Sequence, residues 1–262
     1  MSEIPLVGGD VNVGENVVVR VGDTVRRPTG PHTPAVHALL RHFETIGFDG
    51  APRIVGIDAK GRETLTFLDG IAALAPAPGG DDVLLELGRL LRRMHEAQAG
   101  FVAPPDAAWQ VSPLAPPPGG VICHNDLYPP NVIFREGRPV GLIDWDLAAP
   151  GDPLYDVASA AKHWVPLAQD ERAERFGLPA DRRGERLRLL CEGYELVRHD
   201  RLGLLDVVAH SNEMGYEIHR LYGGERRLPG WREMWDAGSG QELLARNAWF
   251  EANRADLRRF LV

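Results

Sequence analysis

The densest cluster of chemically able residues is His124-Asn125-Asp126-Leu127-Tyr128-Pro129-Pro130-Asn131, followed by Asp144 in Leu142-Ile143-Asp144-Trp145-Asp146. Asn, Asp and Pro are common in turns, so the first stretch alone reads equally well as a surface loop. Its setting argues against that. It is wedged between the apolar runs Val121-Ile122-Cys123 and Val132-Ile133-Phe134, and Asp144 closes a further apolar run, Gly141-Leu142-Ile143. Two adjacent strands could present Asp126, Asn131 and Asp144 to one cleft. Such a set suits phosphoryl transfer. One carboxylate orients an acceptor hydroxyl and takes its proton, while hard oxygen donors hold magnesium against phosphate oxygens. On the residues alone, a structural loop competes with this reading.

The rest of the chain must supply the elements that hold these groups. Val17, Val18, Val19 and Val21 suggest a strand, Gly22-Asp23 a turn, and Thr24-Val25-Arg26-Arg27 a second strand ended by Pro28 and Gly30. Residues 34–47 read as a helix with Val36, Leu39, Leu40 and Phe43 near one face and Gly47 as its stop. Residues 51–58 and 62–70 read as two short strands around a turn at Lys60-Gly61. Residues 72–80, rich in Ala, Pro and Gly, read as a connector. Helical spacing resumes over 81–98, with Asp81 or Asp82 as a cap and Leu84, Leu87, Leu91 and Met94 spaced for burial. A Pro-rich segment, 112–120, leads into the central strand–loop–strand unit, and the remainder of the chain is mostly helical. Strands with one helix, then helices around a central β-loop-β unit, describe an α+β chain with a small β-rich lobe and a larger helical one.

Composition narrows the function. The 262 residues are enough for one large domain or two lobes sharing a cleft, and 44% hydrophobic with 25% charged residues is ordinary for a globular protein. The net charge of -8, without a long Lys/Arg run, disfavours a nucleic-acid partner. It suits a neutral or cationic acceptor, or simply solubility. The two cysteines, Cys123 and Cys191, form no CxxC pair, so neither a zinc site nor a disulfide scaffold is expected. No GxxxxGK[ST] or GxGxxG is present, which removes the P-loop and dinucleotide-fold readings. The start, MSEIPLVGGD, lacks a signal-like pattern, and no apolar run is long enough to cross a bilayer; a cytoplasmic protein with no membrane partner is expected.

The string HNDLYPPNVIF followed by LIDWD resembles the aminoglycoside phosphotransferase family, the broad phosphotransferase group related to choline and homoserine kinases and, more distantly, to protein kinases. The resemblance extends from about Gly8 to at least His163. It implies a protein-kinase-like bilobal fold, with a nucleotide-binding lobe over residues 1–75, a hinge near 66–71, and a catalytic and acceptor-binding lobe over 76–262. It implies ATP as donor, Mg2+ as cofactor and a small-molecule hydroxyl as acceptor. By the same resemblance Asp126 is the base, Asn131 and Asp144 are magnesium ligands, and His124 organises the loop. Asp146 and Asp156 brace it, and Asp152 caps the following helix.

On the nucleotide side, Gly8-Gly9 resemble an abbreviated phosphate loop. The fold would place a cation on the second strand, and no lysine is there. Arg26 and Arg27 are the candidates; two-residue alternation puts Arg27 on the face of Val25 and favours it. The helix that should supply its acidic partner offers only the late Glu44, so the partner lies elsewhere or Glu44 serves in an altered register. Thr66 to Gly70 resemble the hinge, with Phe67 and Leu68 at the adenine edge. For the acceptor, Asp200, Glu213 and Glu217 could cradle a cation; Glu213 and Glu217 share a helical face, which could equally be solvated. Tyr194, Tyr216 and Trp249 either line that pocket or pack a core. The expected activity is phosphorylation of an amine-containing metabolite or antibiotic. The alternatives are a kinase-fold binding protein with little or no transfer, or a protein kinase. The last is disfavoured because no activation segment is recognisable between Asp144 and Asp152.

Overall fold

Short strands rich in valine, isoleucine and threonine build the first sheet. In a computed structural model, residues 2–6, 18–73, 78–109 and 119–262 are described. Gly8 and Gly9 lie outside them. The strands are β1 (Ile4–Pro5), β2 (Val19–Val21), β3 (Thr24–Arg27), β4 (Ile54–Ile57) and β5 (Glu63–Thr66), in the antiparallel order β1-β2-β3-β5-β4. Arg27 pairs with Glu63 and Val25 with Leu65 across β3 and β5. Cross-strand partners share a face, so this register sets what the arginine meets.

Helix α1 (Thr33–Thr45) lies between β3 and β4 in sequence. Gly30 donates its amide to Thr33 Oγ at 2.8 Å at the entry, and Gly47, at φ 77°, ends the helix. Val36, Leu39, Leu40 and Phe43 are buried, and Phe43 stacks on Trp145 at 5.5 Å. The helix is thereby seated against the turn that follows Asp144, while Glu44 is exposed.

After β5 the chain crosses to β6 (Ile71–Ala72), which pairs with β8 (Val132–Arg135) in the sheet β6-β8-β9, where β9 is Arg138–Leu142. The crossing is tight at Gly70: a β-carbon there would sit 2.6 Å from the Phe134 carbonyl oxygen. A second small sheet pairs β7 (Val121–Cys123) with β10 (Ala149–Gly151). Around these lie α2 (Asp81–Glu96), α3 (Leu154–Trp164), α4 (Asp170–Phe176), α5 (Arg183–Tyr194), α6 (Arg198–His219), α7 (Trp231–Asp236) and α8 (Ser239–Arg258). In α2 the N-cap is Gly80, so neither Asp81 nor Asp82 caps with its side chain; both sit in the first turn, where the helix dipole favours them, and Asp81 pairs with Arg186 at 2.9 Å. Helices α2 and α5 approach closely because Gly88 and Gly193 carry no side chain; a β-carbon on Gly193 would fall 2.3 Å from the Leu85 carbonyl. The result is a bilobal α+β fold, a small β-rich lobe with one helix set against a larger, mainly helical lobe. No helix among the described residues is long and apolar enough to cross a membrane.

Candidate active site

The loop between β7 and β8 is fixed by buried polar groups. His124 is fully buried; its Nε2 donates to the Ile143 carbonyl at 3.0 Å, leaving Nδ1 to accept the Asp126 amide at 3.3 Å. Its ring packs on Trp145 at 4.6 Å. From α3, buried Asp156 accepts the amides of His124 at 2.8 Å and Asn125 at 2.7 Å, and its carboxylate pairs with His95 Nε2 at 2.9 Å. His95 Nδ1 meets the Tyr194 hydroxyl at 2.7 Å, which places Tyr194 in this brace and not in the cleft. Ser159 and Trp164 of α3 hold both backbone groups of Leu127, at 3.0 and 2.9 Å. Asp152 accepts the Leu154 amide at 2.8 Å where α3 begins.

This scaffold brings Asp126, Asn131 and Asp144 together. Asn131 ends a single 3-10 turn (Pro129–Asn131) and donates its side-chain amide to Asp126 Oδ2 at 2.8 Å and to the Asp126 carbonyl at 3.1 Å. The amide nitrogen is thus committed, and Oδ1 is the atom left to accept. The Ile143 amide bonds the Asn131 carbonyl at 2.9 Å, tying the end of β9 to the loop. Asp144 follows at φ 64°, and Asn125 at φ 66°. Two non-glycine residues in the left-handed region therefore bracket the cleft, strain the surrounding hydrogen bonds must maintain. Burial raises the Asp126 pKa and nearby Asp144 adds to this, against the opposing effects of His124 and Asn131. An Asp carboxylate and an Asn carbonyl oxygen facing one space form a hard-oxygen donor set that fits a magnesium ion.

The strand cation is in the same place. Arg27 Nη2 lies 3.2 Å from Asp144 Oδ1 and also pairs with Asp146, while its Nε makes a charge contact with Glu63 Oε1 at 3.1 Å. Glu63 Oε2 is 2.7 Å from His37 Nε2, and Asp146 Oδ1 is 3.2 Å from His32 Nε2. Burial opposes the Arg27 charge, but Asp144, Asp146 and Glu63 outweigh it and raise its pKa. Burial likewise acts to raise the Asp146 carboxyl, but His32 and Arg27 overcome it and hold the pKa below the usual value. Arg26 leaves the cleft by strand alternation and meets Thr24 Oγ at 2.7 Å. The acid facing Arg27 comes from β5, and the α1 residue that reaches it is His37; Glu44 does not take part. Glu63, His37 and His32 carry no local signal in the chain. Only the β3–β5 register would have exposed Glu63, and that register depends on tertiary pairing.

One cleft of about 1120 Å3 joins these groups. At one end it is apolar, with Val25, Leu65, Phe67, Leu68 and Ile143. The rest of its wall includes Tyr128, Phe176, Tyr222 and Trp231 together with Lys162, Arg172 and Arg246, with the Phe176 ring 5.5 Å from Tyr128 and 6.0 Å from the Arg172 guanidinium. Here the expected acidic cradle is corrected. Helix α6 turns Ser211, Met214, Gly215 and Ile218 to the cleft, a spacing that rotates Glu213 and Glu217 off its wall. Glu213 is exposed, Glu217 pairs with Arg220 at 2.7 Å, and Asp200 sits in the first turn of α6; none lines the cleft. Tyr216 packs near Trp235 at 6.3 Å, and Trp249 lies beneath the Arg183 guanidinium at 4.6 Å, also off the wall. Lys162, buried on α3, donates to Ser211 Oγ at 2.7 Å, and burial, with Arg246 nearby, brings its pKa down to about 7. Burial and Arg172 bring Arg246 down to about 9. Lys162, Arg172 and Arg246 come from three helices far apart in sequence, so no local motif announced them.

Comparison with known proteins bears on the family and the fold. Residues 106–190 match the phosphotransferase enzyme family. A trifolitoxin immunity protein from Rhizobium leguminosarum bv. trifolii is 35% identical over 260 residues, spanning 95% of this chain and 98% of that protein. A homoserine kinase from Phenylobacterium zucineum (strain HLK1) is 34% identical over 108 residues, 40% of this chain and 30% of that protein. Among solved structures, an amicoumacin kinase in complex with AMP-PNP and Ca2+ superposes with a TM-score of 0.65 at 13% identity, over 98% of this chain and 88% of that one. The fold is protein-kinase-like, and the chain belongs to the phosphotransferase enzyme family.

Proposed function

With that family as the premise, we propose that this chain transfers the terminal phosphoryl group of ATP to a hydroxyl of a small molecule, with Mg2+ as cofactor. The observation that carries the reading is Asp126: a half-buried carboxylate hydrogen-bonded to Asn131, in the cleft that also holds Asp144 and Arg27. Asp126 orients the acceptor hydroxyl and takes its proton. Asn131 Oδ1 and Asp144 are the magnesium ligands, and the metal when bound neutralises charge on the transferring phosphoryl group. Arg27 grips phosphate oxygens. Residues 66–71 are the hinge between the two lobes, divided near residue 75, and Phe67 and Leu68 flank the adenine. His124 and Asp156 set the loop without touching the reactants. The likeness to a trifolitoxin immunity protein over nearly the whole chain supports a protective role, in which the acceptor is a toxin-like compound inactivated by phosphorylation.

The test is an ATP-consumption screen over hydroxyl compounds, including antibiotics, amino alcohols, hydroxy acids and sugars, with and without magnesium. Turnover that requires both magnesium and Asp126 is expected. Tight Mg-ATP binding with no turnover of any hydroxyl would support a nucleotide-binding protein instead.

A further inference from the structure

The acceptor end of the cleft has the wrong sign for a cation. Arg246 is only 4% exposed, yet it has no hydrogen-bond or ion-pair partner among the described residues, and its Nε is buried without an acceptor. A guanidinium largely withdrawn from water with no ion pair is costly, and Arg246 lines the cleft, so it is expected to meet an anion from outside the chain there. Gly215 of α6 lets the guanidinium sit close against that helix; a β-carbon there would stand 3.3 Å from Nη2. Glu242, on the same wall, acts on Arg246 only at a distance too long for an ion pair and is already shared by Arg172 at 2.8 Å and Arg175 at 3.1 Å. Lys162 bonds only the hydroxyl and carbonyl of Ser211, both uncharged.

We propose that the phosphoryl acceptor is a carboxylate-bearing hydroxyl compound whose carboxylate pairs with Arg246, beside Lys162 and Arg172, while its apolar body lies against the surrounding aromatic rings. This rests on the phosphotransferase reading above and names the substrate class of that site. The planar guanidinium fork matches a carboxylate bidentately. Lys162 is near enough to Asp126 for their charges to interact, so a carboxylate held here places a neighbouring hydroxyl toward the base. The nucleotide phosphates are served from the other side of Asp126, where Arg27 meets Asp144. The net charge of -8 makes this basic pocket a local feature and not an overflow of a basic surface.

The test is calorimetric binding of 3-(hydroxymethyl)benzoate and its carboxamide to the full chain with saturating Mg-AMP-PNP. The carboxylate is expected to bind at least about tenfold more tightly than the amide. That preference should vanish in Arg246→Met and persist in part in Arg246→Lys, with AMP-PNP affinity unchanged in both. Should Arg246→Met fail to fold, Lys162→Met serves the same comparison, with a reduced preference expected. Equal affinities, no measurable carboxylate binding, or a loss of AMP-PNP affinity in Arg246→Met overturns the proposal. Failure of the phosphotransferase reading is separate and visible: the wild-type chain would then bind no Mg-AMP-PNP, or would bind it yet consume no ATP with any hydroxyl compound while still showing the Arg246-dependent carboxylate preference.

Discussion

Glu63 faces Arg27 directly across the β3–β5 pair, its Oε1 3.1 Å from the arginine Nε. The acid that balances Arg27 is thus a sheet neighbour, fixed by strand register. Helix α1 is coupled to it through His37, which is 2.7 Å from the other carboxylate oxygen. Replacing Glu63 with Gln leaves the half-buried Arg27 with Asp144 and Asp146 as its carboxylate partners among the described residues, the same groups it would have to release under the proposed grip on phosphate. Glu63→Gln is expected to raise the KM for ATP several-fold with a smaller effect on kcat. It should cost about 1–3 kcal/mol of stability, read by denaturant unfolding.

Asp126→Asn keeps the shape of the side chain but removes the base. It should fold, bind Mg-ATP as the wild type does, and lose about 10²–10⁴-fold in kcat. Single-turnover kinetics with the acceptor found in the screen would measure this. Full turnover would remove Asp126 from the role.

Asp144→Ala removes the carboxylate of the proposed magnesium pair and one anchor of Arg27. ATP affinity in the wild type should rise with magnesium, and in the variant that dependence should be lost. Titration with and without the metal checks this; an unchanged magnesium response would place the ion elsewhere.

Arg246→Met removes a buried, unpartnered cation, and so should stabilise the fold by about 1–3 kcal/mol even as it impairs acceptor binding. Thermal or denaturant unfolding in the absence of ligand decides it. A destabilised variant would mean that the guanidinium already has a favourable role in the fold.

Lys162 gives a pH signature. Its pKa falls from the ordinary 10.5 to about 7 in the fold because of burial first and Arg246 and Arg172 second, against the opposing pull of Asp126. Between about 7 and 10.5 the unfolded chain carries a proton at this site that the folded chain lacks. The Lys162 contribution to stability therefore rises with pH across that window, with a slope of up to about 1.4 kcal/mol per pH unit. Lys162→Met should flatten the difference, seen by comparing unfolding of the two proteins from about pH 6 to about pH 9. His163, half-buried beside Lys162, has its pKa pushed well below the usual range by burial and by Lys162, so its own contribution also rises with pH but is complete by about pH 7 to 7.5, and the range above that reports Lys162.

The chemical centre was legible because it is local. His124 to Asn131 and Asp144 lie in one strand–loop–strand stretch, their types and spacing suit phosphoryl transfer without excluding a structural loop, and the fold brings Asp126, Asn131 and Asp144 to one cleft. The helix over residues 34–47 was also readable from its apolar spacing, and it forms over Thr33–Thr45. Alternation along Thr24–Arg27 was enough to separate Arg27 from Arg26, which meets Thr24 away from the cleft. What the sequence by itself determined, then, is the set of groups carried on one short segment, together with the periodicity of the elements that bear them.

Tertiary structure decided the rest. Glu63 and His37 reach Arg27 only through strand register and helix docking, neither of which is written in either residue's neighbours. Glu213 and Glu217 share a helical face, but which face α6 turns inward is set by its packing, and it turns Ser211, Met214, Gly215 and Ile218 instead. Lys162, Arg172 and Arg246 become one basic pocket because α3, α4 and α8 converge there. Like charges far apart in sequence carry no local signal, and their meaning arises only when packing gathers them and leaves one of them, Arg246, without an ion pair.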